Sequence, residues 1–472
     1  MRLLVVLQLC LSLTYTWCLK DTQDCTGYEC LKAYVDRPDP AYTWEDTGHR
    51  VVVEDYQGRG GWTGYFLNFT SQQWLTPEDT SRSVWWHLLV VVVPEHVEVQ
   101  DTALLWLAEG HNDEDTLPDI NNKDLFVAAS IATSTGMVAA VAYHIPNEPI
   151  LYAEDPLQVE RSEDANLAFT WWRYLHDPTS DAEYILNLPM TKAGVRAMDT
   201  VHAFFTSKTD PSSVQPTQFI VSGVSKRGWT TWLLGAVDPR VVAIVPVMMD
   251  ELNFVQNIKH HYKSYGGWSF AFADYWALNL TLSFDNPKMQ KMFDIIDPFE
   301  HRDKLLMPKL VCDSAGDEFF LLDDTRYWWQ EMPMAYELNR FLILPNTEHE
   351  YVTGILELLP GVSTWISQVL DTRLGKDIPR YNWTVDDITG DITVMTDTQP
   401  ASVTLWHATT CDHHRRDFRL INIDTPCECG VAYGDHCINL QVLWSPQQLE
   451  ETSPGKKQSI NISITILKSQ NI

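Results

Sequence analysis

Basic residues are scarce in this 472-residue chain: 34 lysines and arginines stand against 63 aspartates and glutamates, a net charge of -29. Such a surface repels phosphate backbones and anionic membranes, which excludes nucleic-acid binding. Long apolar runs are missing as well. Beyond the first segment no stretch approaches the roughly 18 unbroken apolar residues of a membrane-spanning helix. The nearest, residues 84–94, has the length of a strand and contains His87, so no membrane span is expected. Internal repeats and low-complexity tracts are absent. So is a zinc pattern, because Cys427-Glu-Cys429 is spaced more closely than the usual ligand pair and His413 and His436 complete no ligand set. No metal and no cofactor is expected. With 45% hydrophobic and 11% aromatic residues, the chain is too apolar for disorder and long enough for one large domain and a smaller one.

The first segment differs. Arg2 precedes an apolar run from Leu3 to Leu13, then the more polar Thr14 to Cys18 and the charged Lys20 and Asp21, which predicts a secretory signal peptide over residues 1–18. Four glycosylation sequons agree with an extracellular protein, at Asn68, Asn279, Asn382 and Asn461. Removing Cys10 and Cys18 from nine cysteines leaves seven, for which pairing is the expectation in an oxidising compartment. Cys25 and Cys30 suit a local loop. Cys411, Cys427, Cys429 and Cys437 can pair in three ways. Cys312, in an apolar run, reads as a buried free thiol.

Residues 84–374 alternate strand-like apolar runs with helical stretches, the pattern of a mostly parallel sheet wrapped by helices. Strands are expected at 85–93, 103–108, 137–144, 218–222, 241–248, 309–313 and 341–344, and a helix over 191–207. About 45 residues lie between the strand ending near His144 and the helix at Thr191, too many for a simple crossover. This acidic, aromatic stretch, about 147–190, predicts a cap over the sheet edge. A second aromatic stretch, 250–308, reads as core packing. The expected organisation is a signal at 1–18, an α/β-hydrolase-like domain over 19–374 and a small β-sandwich-like domain over 375–472, the last from short alternating runs such as 392–395, 402–406 and 459–466. The residues before position 80 suggest a covering segment and a hairpin.

Residues 218–229 run from an apolar strand through Gly223-Val-Ser225 into a segment able to start a helix. A sharp strand-to-helix turn lifts a serine oxygen off a sheet edge and lets the next backbone N–H, that of Lys226, face a developing oxyanion. Ser225 is therefore the candidate nucleophile. Gly267-Trp-Ser269 and Gly361-Val-Ser363 share the Gly-x-Ser form but follow no clean buried strand. The usual elbow carries glycine two places after the serine, where this chain has Arg227, with Gly228 one place later. A serine needs a base, and the base an orienting carboxylate. The run 309–313 leads into Ser314-Ala-Gly-Asp317-Glu318, making Asp317 the candidate acid with Glu318 and Asp313 as rivals. The run 341–344 leads to His349, the candidate base. A second oxyanion donor is expected after residues 103–108, from the backbone of Gly110 or His111, although a glycine there serves a turn equally well.

Three passages carry a family likeness: Ala33-Tyr-Val-Asp-Arg-Pro-Asp-Pro-Ala-Tyr42, Gly223-Val-Ser-Lys-Arg-Gly-Trp-Thr230, and residues 402–418 ending Arg416-Asp-Phe418. The chain resembles the PhoPQ-activated pathogenicity-related protein family, which includes secreted autocrine proliferation repressors. The resemblance implies an α/β-hydrolase fold with a C-terminal β-domain, makes Arg227 part of the family's elbow, and puts Ser225, Asp317 and His349 at its triad. Two functions follow as expectations. One is a secreted serine hydrolase acting on an ester or peptide through an acyl-enzyme. The other is a secreted signal that uses the hydrolase scaffold to bind a cell-surface receptor.

Overall fold

In a computed structural model the described residues are 25–449, apart from 56–57, 59, 115, 180, 208–213, 334–338, 387, 390, 413, 424–425. The predicted signal peptide, Cys10, Cys18, His413, the Asn461 sequon and the run 459–466 lie outside them.

The chain enters through helix α1 (Tyr28–Asp36), then an antiparallel pair β1 (Thr43–Val53) and β2 (Trp62–Gln73), then β3 (Val84–Pro94) and β4 (Val99–Leu107). Helix α2 (Lys123–Thr135) starts where the Asn122 side chain accepts from the Leu125 amide and stops at Gly136 in a left-handed conformation. It leads into β5 (Met137–Ala142). A short hairpin, β6 (Ile150–Leu151) and β7 (Glu160–Arg161), and helix α3 (Asp164–His176) fill the stretch expected to cap the sheet. The periodic helix begins four residues before its expected start, as α4 (Asn187–Ser207). There follow β8 (Gln218–Val224), α5 (Lys226–Val237), β9 (Val241–Val247), α6 (Phe254–Tyr265), α7 (Ala273–Ala277), α8 (Pro287–Ile296), β10 (Leu310–Ser314), β11 (Arg340–Leu344) and α9 (Ile355–Arg373).

Nine strands form one sheet in the order β1-β2-β3-β5-β4-β8-β9-β10-β11. From β5 to β11 all neighbours are parallel, while β1, β2 and β3 add an antiparallel edge. The fold is α/β, of the α/β-hydrolase type. Valine and alanine runs dominate the central strands because both faces are covered. With side chains alternating at period two, Leu89, Val91, Leu105 and Ala140 enter the core beneath α1, α4 and α5. Val90, Val92, Trp106 and Val141 enter the core under α2 and α9. Helix α9 presents Leu358, Val362, Trp365, Ile366 and Val369 to that core, and each such burial contributes about 1.5–3 kcal/mol.

After Gly375 the expected β texture becomes three small antiparallel sheets. They pair β12 (Tyr381–Val385) with β13 (Ile392–Thr396), β14 (Thr404–His407) with β18 (Ser445–Gln448), and β15 (Ile421–Asn422) and β16 (Val431–Tyr433) with β17 (His436–Ile438). Disulfides join Cys25 to Cys30, Cys411 to Cys429 and Cys427 to Cys437, and Cys312 is a buried free thiol. No helix among the described residues is long and apolar enough to cross a membrane.

Candidate active site

Parallel strands bring their C-terminal ends to one sheet edge, where the following loops meet. Ser225 directly follows β8 and caps α5 with φ 56° and ψ -122°, a conformation that costs a side-chain-bearing residue about 1–3 kcal/mol. Its amide donates to Val247 O at 2.9 Å, which ties the turn to the end of β9. The displaced glycine of the elbow has its reason here. A Cβ at Gly228 would come within 2.8 Å of Met249 Cβ and 2.9 Å of Val247 O, so close helix-to-strand packing requires glycine at that place. Arg227 is turned away to serve another purpose.

Asp317 lies three residues past β10 and His349 five residues past β11. His349 Nε2 is 2.9 Å from Ser225 Oγ, and Nδ1 is 2.8 Å from Asp317 Oδ2. The other oxygen of Asp317 accepts from the amides of Phe319 at 2.7 Å and Phe320 at 3.0 Å, which orients the carboxylate toward the ring. Of its rivals, Glu318 accepts from the His349 amide at 2.9 Å and so holds the histidine loop instead of the imidazole. Burial, and then the Asp317 charge, push Glu318 up to about 7. Asp313 is buried, and burial together with the Asp317 charge drives it strongly toward its neutral form. For His349, burial opposes the charged ring, but the Asp317 carboxylate outweighs it and the net displacement is upward.

Lys226 opens α5, so its amide has no acceptor within the helix. Its side chain is buried, with Nζ 2.7 Å from Glu163 Oε2 and 2.8 Å from Asp164 Oδ2. Arg227, also buried, donates through Nε to Ile145 O at 2.6 Å and through both terminal nitrogens to Glu163. The two cations after the serine therefore clamp the start of α3 onto the elbow. Glu148 completes the network, accepting from the Glu163 amide at 2.7 Å and from Asn166 at 2.9 Å. Burial, and then the charge of Glu163, raise Glu148 to about 9, while Arg227 and Lys226 overcome the effect of burial and hold Glu163 well below the usual carboxylate range. The sequence reading missed this network. A signal for it existed: two adjacent cations in a helix that must be buried require carboxylates, and residues 147–190 are acidic.

A cavity of about 180 Å³ opens in front of Ser225 and His349, with Leu107, Ala108 and Glu109 on the β4 side. The Ala108 amide is engaged with Ala142 O, which leaves the Glu109 amide as the candidate donor on the β4 side of the lining. Gly110 and His111 stand beyond the lining: Gly110 backs onto the His144 ring and His111 bridges to Glu148. Among the sequon residues, Asn279 is exposed, whereas Asn68 on β2 and Asn382 on β12 are half-buried. Among the described residues no group of three His, Cys, Asp or Glu side chains is arranged to hold a metal ion.

The C-terminal segment braces the two loops that carry Asp317 and His349. Leu420 N donates to Gly316 O at 2.9 Å, Gly316 N donates to Thr347 O at 3.0 Å, and Asn346 exchanges hydrogen bonds with the Trp444 backbone. A Cβ on Gly316 would meet Leu420 Cβ at 2.6 Å. Gly316→Ala is therefore expected to displace Asp317 and lower kcat on an ester substrate by about 10–100-fold, since misplacement near 1 Å has that scale of effect. A wild-type kcat in the folded variant would show that these contacts do not set the acid loop.

The sequence model of the family described as PhoPQ-activated pathogenicity-related protein matches residues 31–419. The chain belongs to this family. Autocrine proliferation repressor protein A of Dictyostelium discoideum is 32% identical over 432 residues, covering 90% of this PhoPQ-related chain and 81% of that protein. Two solved structures align at low identity. Acetyl xylan esterase from Paenibacillus sp. R4 is 14% identical, with TM-score 0.44, over 71% of this PhoPQ-related chain and 91% of the esterase. Acetyl xylan esterase 1 from Thermoanaerobacterium sp. JW/SL YS485 is 15% identical, with TM-score 0.43, over 74% and 97%.

Proposed function

We propose that this protein is a secreted serine hydrolase that cleaves an ester or peptide through an acyl-enzyme. The observation that carries the reading is the continuous chain from Ser225 Oγ through His349 to Asp317, at 2.9 and 2.8 Å, in the wall of a cavity. His349 Nε2 takes the serine proton as Oγ attacks the carbonyl carbon, and Asp317 holds the ring and stabilises the imidazolium. The developing oxyanion is received by the Lys226 amide and, in this reading, by the Glu109 amide. Secretion is supported by the predicted signal at 1–18, the sequons and the three disulfides, which persist in oxidising compartments.

A fluorophosphonate probe applied to protein collected from the medium of eukaryotic cells tests the reading. One adduct is expected on Ser225, none in Ser225→Ala, with an N-terminus near residue 19 or 20 and a mass loss on removal of N-linked sugars. Labelling that persists in Ser225→Ala would remove Ser225 as nucleophile, and an intact Met1 without a mass change would overturn secretion.

A second reading draws on the relative's name: the protein represses proliferation as an extracellular signal that binds a cell-surface receptor. Ser225→Ala removes one oxygen and hardly changes the surface. A cellular response kept at full potency by the folded variant favours binding alone; a response lost with unchanged thermal stability makes hydrolysis the signal's mechanism.

A further inference from the structure

We propose that the acyl group transferred to Ser225 is short and not anionic, acetyl above all, and that it sits in a mainly aromatic side pocket while a larger polar leaving group occupies the main cavity. This rests on the reading of Ser225 as nucleophile and adds the substrate class to it.

Ser225 stands between two spaces. The main cavity, about 180 Å³, has His349 in its wall and is otherwise lined mostly by charged side chains such as Glu109, Lys123 and Glu350. The second space, about 30 Å³, shares Asp164, Ser225, Lys226 and Phe319 with the first but excludes His349; Trp229, Phe254, Phe272 and Tyr275 form most of its wall, with Glu251 beside them. Proton transfer decides which half of the substrate lies in which space. When the tetrahedral intermediate collapses, the carbonyl carbon to leaving-oxygen bond breaks and that oxygen takes the proton from His349 Nε2. The leaving group must therefore be on the His349 side, and the acyl group in the aromatic pocket. In the second half of the cycle, water gives its proton to His349 as it attacks the acyl carbon. The Ser225 ester bond then breaks, Oγ recovers the proton, and the short carboxylic acid departs.

Size and polarity then select the acyl group. One water-sized sphere needs about 10–15 Å³ of such space, so this pocket of about 30 Å³ takes a methyl group readily and can hold little of a longer chain. Its walls are not free to yield. Trp229, Phe254, Phe272 and Tyr275 are buried and belong to one aromatic cluster, with Trp229 and Phe254 centroids 5.6 Å apart and Phe272 and Tyr275 centroids 5.7 Å apart. Close-packed interiors of this kind resist expansion. An anionic acyl group finds no free cation there, because the Lys226 ammonium is already held between Glu163 and Asp164 and the other ionisable groups in the lining, Asp164 and Glu251, are carboxyls.

The experiment compares kcat/KM for p-nitrophenyl acetate, butyrate, hexanoate and octanoate on unlabelled protein, its active-site concentration set by titrating a separate aliquot with the fluorophosphonate probe. Acetate is expected to exceed octanoate by about 100-fold or more, each misfitting methylene having an effect of the order seen in tight pockets. Phe272→Leu should narrow the acetate to hexanoate ratio about tenfold, and Phe254→Leu is the substitute if the first does not fold. A profile that is flat or rises with chain length, no acetate turnover by protein that labels at Ser225, or an unchanged ratio in a folded pocket variant overturns the short-acyl assignment while Ser225 stands. Absence of both labelling and turnover overturns the nucleophile reading itself, and the acyl assignment with it.

Discussion

His349→Ala is expected to lower ester turnover by about four orders of magnitude with the fold intact, because the hydroxyl of Ser225 is a poor nucleophile without a base 2.9 Å away. The same pair of contacts sets a pH dependence. Only the neutral imidazole accepts the serine proton, and Asp317 lifts His349 above the ordinary histidine value of 6.5. Activity should therefore rise with pH through a point above 6.5 and fall away as acid protonates the ring. Asp317→Asn removes the charge that raises the ring, so the acid limb should move to lower pH while the maximal rate drops steeply through loss of the oriented tautomer. Glu318→Gln keeps its acceptor oxygen for the His349 amide and should alter turnover far less. Rates of the purified variants across pH check all three, and a reversed ranking of Asp317→Asn and Glu318→Gln would reassign the acid.

The largest expected effect on stability belongs to Arg227. Arg227→Met takes the two-pronged partner from Glu163, which sits beside Glu148 at the joint between α3 and the elbow, and leaves it the Lys226 ammonium at 2.7 Å. Removing one partner of a buried pair destabilises by about 3–5 kcal/mol. Glu163 keeps 34% of its side chain exposed and retains Lys226, so solvent and the remaining cation offset part of its charge and the loss should not exceed about 3 kcal/mol. Arg227→Lys should recover little of it, because one ammonium cannot reproduce the fork that reaches Ile145 O and both oxygens of Glu163. Combining Arg227→Met with Glu163→Gln should recover part of the loss by removing the carboxylate that Lys226 alone neutralises only in part beside Glu148. Denaturant unfolding measures each step, and an Arg227→Met midpoint equal to wild type would show that the clamp carries no stability.

The strands were legible because burial on both faces leaves unbroken runs of β-branched and small residues, and all seven expected strands match β3, β4, β5, β8, β9, β10 and β11 within a few residues. The position of Ser225 was legible for the same reason, since a buried strand ending in Gly-Val-Ser and followed by a helix start has few other geometries. Asp317 and His349 were legible as loop positions after successive strands. Asp317 was named ahead of its rivals Glu318 and Asp313, but what turns it to the ring was not legible, because adjacent residues on a turn differ in direction, and direction depends on the Phe319 and Phe320 amides.

By itself the sequence determined what is local or periodic: strand and helix placement, the strand-turn-helix at Ser225, the local Cys25 to Cys30 pairing and the burial of Cys312. Tertiary structure alone decided what depends on distant segments meeting. It set the pairing of Cys411 with Cys429 and Cys427 with Cys437, the bracing of the Gly316 and Asn346 loops by Leu420 and Trp444, and the clamp of Lys226 and Arg227 on Glu163 across more than 60 residues of chain. The physical reason is that short-range order follows from side-chain period and backbone preference. Ion pairs and loop contacts follow from which surfaces the sheet brings together, and no window of sequence contains both partners.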